Sequence, residues 1–413
     1  MQNVLDASIG SIAWYFIGYG IAQGKGDAPS GIGTTRFFLQ NDAFNNDSGY
    51  SYASWLFQWA FASTAVTIVS GAVTERCTTT AYLCYSTMLT AFIYPVVVHW
   101  GWSESGWASA WRETDLLFGC GATDFAGSGV VHMTGATAAF WGIYFLKARE
   151  NPNPDLPTYC YVFQTLGVLI LWFGWYAFNG VSTLTIVGNT GVAAKTMVVT
   201  TISAGAGGLS TLFFSALWDR YVSKLDEVLT LKLSAANNGV LAGLVGVTAG
   251  CAVVDPIGSL IIGIFAAPVY VISSRTLVKC GFDDVVDAVP VHGCCGFYGV
   301  IMAALLATEE NYKAAYFPAR ASKCAGLFYG GDGSMLGANF IMAVAIFFWT
   351  SVCSVALFGI LSKCKLLRVS KQVEDEGFDT SEHGMPKREE TRTADTVESG
   401  DEPPLEMVAI RIR

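Results

Sequence analysis

The sequence predicts an all-α polytopic membrane protein, and three observations support that class. Of 413 residues, 52% are hydrophobic and 14% charged, and mean hydropathy is positive, values outside the range of soluble globular chains. The charges are unevenly placed, with 36 in residues 1–362 and 21 in the remaining 51. Ten stretches of about twenty mostly apolar residues recur along the first part, the length a hydrocarbon core of about 30 Å demands. They are too continuously apolar for lipid-facing strands, which alternate, so each is expected to be a helix. Residues 1–362 therefore form a transmembrane domain of about ten helices, and residues 363–413 a cytosolic tail. A net charge of −9 leaves no basic surface for nucleic acid.

The first span, 3–23, runs apolar from Val4 to Ile21 and keeps Trp14, Tyr15 and Phe16, which is too long for a cleaved signal peptide. The others are expected at 51–73, 79–99, 125–147, 158–178, 192–217, 234–254, 258–278, 286–307 and 337–361. Connections after even-numbered spans, with the start of the tail, carry twelve Lys and Arg residues, Arg76, Lys147, Arg149 and Arg368 among them. The opposite side carries seven, including Lys25, Arg36 and Arg112. Positive-inside then places the tail, and with ten spans the N-terminus, in the cytosol. The sequon Asn46-Asp47-Ser48 falls outside, where glycosylation occurs. Cys84, Cys160, Cys251, Cys294, Cys295 and Cys353 lie in apolar runs and read as packing residues. Cys120 and Cys324 lie on the outer side as a candidate pair.

Two of the four histidines, His132 and His292, sit inside spans, where ionisable residues are rare and functional by default. Each follows an aspartate, Asp124 or Asp287, for which helix N-capping is the competing role. Each precedes small residues, Gly135-Ala136 and Gly293-Cys294-Cys295-Gly296, which permit close helix approach. The two spans are the fourth and the ninth, so an odd offset gives them opposite orientations, as an inverted repeat requires. Extending the offset pairs spans one to four with six to nine. The fifth is left without a partner, and the chain is expected to lack the helix that would precede residue 1. Closely spaced metal-ligand pairs such as C-x2-C or H-x3-H are missing, as are G-x-S-x-G, P-loop and kinase signatures. No metal, cofactor or enzymatic activity is expected.

Four motifs go further: Asp124-Phe-Ala-Gly-Ser-Gly-Val-Val-His132, Trp175-Tyr-Ala-Phe178-Asn179-Gly-Val-Ser182, Val291-His292-Gly293, and Phe57-Gln58-Trp-Ala-Phe61-Ala. Together they resemble the Amt/Mep/Rh ammonium transporters, the plant-type Amt branch most closely, from about Asn3 to about Gly384. Family members that the chain resembles have eleven spans and form homotrimers with one narrow pore per subunit. The resemblance implies an Amt-type inverted-repeat bundle in the plasma membrane, carrying ammonium or ammonia, with methylammonium as analogue. It implies a recruitment site at Phe61, Trp102 and Ser182, with Trp100 as the competing tryptophan. It also implies a gate of Phe61 and Phe178, a pore lined by His132 and His292, and cation-site support from Asp124. The alternatives are an ammonium sensor with little flux and an Rh-like electroneutral ammonia channel.

The tail is charged, aperiodic and punctuated by Pro386, Pro403 and Pro404, so most of it is expected to be disordered, the more so after about residue 385. Its segment 376–384 resembles the family's regulatory C-terminal segment. That likeness implies phosphorylation by a protein kinase at Ser381 or the adjoining Thr380, with phosphate repelled by Asp379 and Glu382.

Overall fold

The computed structural model describes residues 2–27, 29–40, 44, 49–150, 158–225, 228–377 and 381. Ten helices carry the fold: α1 (Asn3–Gln23), α2 (Tyr50–Val73), α3 (Thr79–Trp102), α4 (Ser128–Leu146), α5 (Thr158–Gly180), α6 (Thr190–Val222), α7 (Leu233–Thr248), α8 (Pro256–Lys279), α9 (Val289–Leu306) and α10 (Ser334–Lys363). Among the described residues, nine of these are long and apolar enough to cross a membrane, and α7, with 16 residues, is shorter. The described residues contain no strand, only three isolated bridges. The expected all-helical bundle is therefore present. Asn46 and Thr380 lie outside the described residues.

The helix ends follow local chemistry. Thr78 caps α3 by accepting the Ala81 N–H at 3.1 Å, and Asp255 caps α8 by accepting that of Gly258 at 2.6 Å, with Pro256 at the first helical position. The seventh span was expected to run to residue 254, but α7 stops at Thr248. The loop before α4 docks there: Phe125 and Ala126 donate their N–H groups to the Ala249 and Thr248 carbonyls, and Ser128 Oγ accepts the Ala249 N–H. Backbone groups committed to a neighbouring loop cannot continue the helical ladder, however apolar the sequence.

Close packing comes from small residues. A Cβ at Gly207 of α6 would lie 2.5 Å from the Gly239 carbonyl oxygen of α7. One at Gly263 of α8 would lie 2.4 Å from that of Ser203 of α6. The runs singled out after the histidines behave alike: a Cβ at Gly135 would meet Ala65 O of α2 at 2.7 Å, and one at Gly296 would meet Ser128 O at 2.6 Å. Side-chain-free contact faces let dispersion and helix dipoles act at short range inside a lipid solvent. Outward-facing Phe163, Leu169, Ile170 and Phe173 of α5 are exposed, as a lipid-facing surface requires. Cys120 and Cys324, the candidate pair, form a disulfide that joins the loop before α4 to the loop before α10.

Candidate functional site: an aromatic and histidine column

Both histidine helices open in a π-helical turn, Ser128–Met133 in α4 and Val289–Cys294 in α9. Such a turn widens the helix locally and re-aims side chains. The two rings meet edge to edge and nearly coplanar, 5.1 Å between centroids and 18° between planes, with Nδ1 to Nδ1 at 3.2 Å. That bond holds one proton: one ring donates and the other accepts. His132 is fully buried, whereas His292 is only partly so. Among the described residues, His132 Nε2 has no hydrogen-bond partner.

Above the pair the rings continue. Phe178 packs on His132 at 5.6 Å, Phe61 stacks on Phe178 at 4.1 Å, and Trp102 meets Phe61 edge-on at 5.5 Å. Trp102, Ser182, Phe57, Gln58, Phe125 and Phe317 are among the residues lining a cavity of about 470 Å³ on the side away from the tail. Ser182 Oγ donates to the Phe178 carbonyl at 2.7 Å, and its lone pairs remain as acceptors. Trp100 turns elsewhere, donating to Gly31 O and packing on Trp107 and Trp349. The structure thus brings Phe61, Trp102, Ser182, Phe178, His132 and His292 together and leaves Trp100 out.

Asp124 is also present, but its carboxylate does not face the cavity. It accepts the N–H groups of Gly127, Gly129 and Val130 at 3.1, 2.9 and 2.8 Å, capping α4, while its carbonyl accepts Trp102 Nε1–H at 2.7 Å. Gly127 has φ +100°, and a Cβ there would lie 3.1 Å from the Trp102 ring, so glycine is needed on both counts. The expected counterpart, Asp287, does not cap. Its carboxylate accepts from Tyr270 OH, Ser274 Oγ and Asn238 Nδ2 at 2.7, 2.9 and 3.3 Å. The cap on α9 is Asp284, which accepts the Val289 N–H at 2.7 Å. It stands eight residues before its histidine, as Asp124 does. Burial pushes the Asp284 carboxyl up to about 6 despite the backbone N–H groups around it.

Trp175 joins the column at the histidines, a role that its motif alone does not assign. Its ring stacks on His132 at 5.3 Å and 13°, and its Nε1–H donates to Thr248 Oγ1 at 2.9 Å. The signal was present: Trp175 and Phe178 are three apart on α5, hence on one helix face.

The tail side is ionic. Arg149 donates from Nε and Nη2 to the Asp283 carboxylate at 2.8 and 3.0 Å and from Nη1 to Glu75 at 2.6 Å. Buried Arg76 donates to the carbonyls of Lys147 and Asp283. Arg368 of the tail donates to the Leu146 and Ala148 carbonyls at the end of α4 and to Glu374. Burial alone would raise Asp283, but Arg149, with Arg76 behind it, holds its carboxyl below the usual range. Ser381 is exposed, its Oγ donating to Gly377 O at 2.8 Å.

The family model for the Ammonium Transporter Family matches residues 1–388. The chain belongs to the ammonium transporter family. It is 39% identical over 400 residues to the putative ammonium transporter 1 member 5 of Arabidopsis thaliana, covering 93% of this chain and 78% of that one. It is also 39% identical over 403 residues to ammonium transporter 1 member 2 of Oryza sativa subsp. japonica, with the same coverage. Among solved structures it is similar to a protein titled Sensor Amt Protein (27% identity, TM-score 0.76, 92% of this chain and 88% of that one). Mep2 of Saccharomyces cerevisiae shares the fold at 22% identity, with TM-score 0.74 over 89% of this chain and 80% of that one. This is a family of membrane transporters rather than of enzymes.

Proposed function

We propose that this ammonium transporter captures the ammonium ion at Trp102, Phe61 and Ser182, strips one proton, and passes ammonia along the His132–His292 pair. The observation that carries this reading is the unbroken column of rings from Trp102 to His292. An intact ion entering that column meets a desolvation cost of several kcal/mol after relaxation. Each aromatic face returns roughly 0.5 to 2 kcal/mol, and a hydroxyl accepts one N–H. Losing a proton at pH 7 from an amine of pKa near 10 costs about 4 kcal/mol. Deprotonation is the cheaper route, and the neutral product suits an apolar passage.

A Phe61–Phe178 stack at 4.1 Å leaves no open path, so the rings must part as each molecule passes, which suits a gate. The single shared Nδ1 proton and the unpartnered His132 Nε2 suit proton exchange: a proton arriving on one ring is matched by one leaving the other, and the tautomers swap. Asp124 supports the cation site through its carbonyl, by holding the Trp102 indole upright.

The transport domain is residues 1–362, in the plasma membrane, assembled as a homotrimer, with the regulatory tail 363–413 in the cytosol. A kinase acting at Ser381 or Thr380 would add negative charge beside Asp379 and Glu382, and repulsion among these groups would release the tail. Voltage clamp of cells expressing the protein tests the central reading. Inward current that grows and saturates with external ammonium is expected; binding without flux would make the protein a sensor, and uptake without current an electroneutral channel.

A further inference from the structure

We propose that Asn339 of α10 is a positioning residue for cation capture, fixing Trp102 through the backbone of Thr123 and Asp124. The Asn339 side chain is fully buried and wholly engaged with main chain. Its Oδ1 accepts the Thr123 N–H at 2.7 Å, and its Nδ2 donates to the Thr123 and Val300 carbonyls at 3.0 and 2.8 Å. One amide therefore ties the approach to the His132 helix to the His292 helix.

The backbone carries that grip towards Trp102 in two steps. Holding Thr123 O fixes the plane shared by Thr123 and Asp124. The next plane contains the Asp124 carbonyl and the Phe125 N–H, which point in opposite directions. The Phe125 N–H is bonded to Ala249 O at 3.0 Å, so the Asp124 carbonyl is aimed the other way, where it accepts the Trp102 indole N–H. Three residues before Thr123, Cys120 anchors the same loop to Cys324. Asn339 and the disulfide are thus two fixing points of one loop. Loss of either loosens the loop around the carbonyl that orients the indole.

This rests on Trp102 being the capture residue, and a double-mutant cycle separates the two ideas. Methylammonium uptake is measured in cells for wild type, Asn339→Ala, Trp102→Leu and the double variant, normalised to protein at the surface. The half-saturation concentration should rise roughly ten-fold in Asn339→Ala, the loss of about one cation–π contact, with the maximal rate within about two-fold. The double variant should be no worse than Trp102→Leu alone. An unchanged half-saturation, a fall confined to the maximal rate, or fully additive effects would overturn the proposal. A Trp102→Leu protein with wild-type kinetics would instead sink the capture reading beneath it. If Asn339→Ala does not reach the surface, Cys120→Ala/Cys324→Ala is judged by the same criteria.

Discussion

The two ends of the bundle are fastened by different chemistry. Away from the tail, the loop between Trp102 and α4 is held by a disulfide, by the Asn339 amide and by the indole of Trp102. Cations at this end are absorbed by main-chain carbonyls: Arg320 donates to those of Ala110 and Arg112, and buried Arg112 to that of Asp115. On the tail side, Arg76, Arg149 and Arg368 meet Asp283, Glu75 and Glu374. Covalent and neutral links are indifferent to salt and phosphate, whereas ion pairs answer to both. Under the proposed function, the end held by covalent and neutral links is the one that recognises the cation, and the ionic end is the one open to adjustment. Both ends grip the same two helices: Asn339 at Thr123 and Val300, Arg368 at the end of α4, and Asp283 beside the Asp284 cap of α9.

Breaking the rigid end should have the larger effect on recognition. Trp102→Leu is expected to lower selectivity for methylammonium over potassium roughly ten-fold, what about 1.4 kcal/mol of cation–π attraction is worth, with little change in melting temperature. Competition uptake checks this, and unchanged selectivity would count against the recruitment site.

Breaking the ionic end should cost less and depend on pH. Asp283→Asn removes a half-buried pair and should destabilise the purified protein by about 1 kcal/mol at neutral pH. The folded carboxyl of Asp283 lies below its unfolded value. Its contribution is therefore complete at neutral pH and is lost as pH falls below about 4. Melting curves of wild type and variant should converge there. Asp284 acts in the opposite sense between about pH 4 and 6, because its carboxyl is raised in the fold, and that arm should be the same in both proteins.

Much of the helical frame and the column was legible in the sequence, for a physical reason. Apolar length marks a span, and a histidine inside one stands out against lipid. The glycine runs after His132 and His292 foretold close helix contacts. What could not be read was backbone geometry. Thr248 ends α7 because a distant loop takes its carbonyl, a tertiary event without a local signal. Asp287 looked like the partner of Asp124 by proximity to His292, yet Asp284, at the matching offset of eight residues, makes the cap. Asn339 was invisible because a single asparagine in an apolar helix reads only as tolerated polarity until its partners are known.

The most direct measurement of the central claim is methylammonium uptake by His132→Ala, with surface protein quantified. The ring column with one shared proton predicts that flux is abolished or greatly reduced while the protein still folds and binds at Trp102. Wild-type flux in that variant would contradict the histidine pair as the route of transfer.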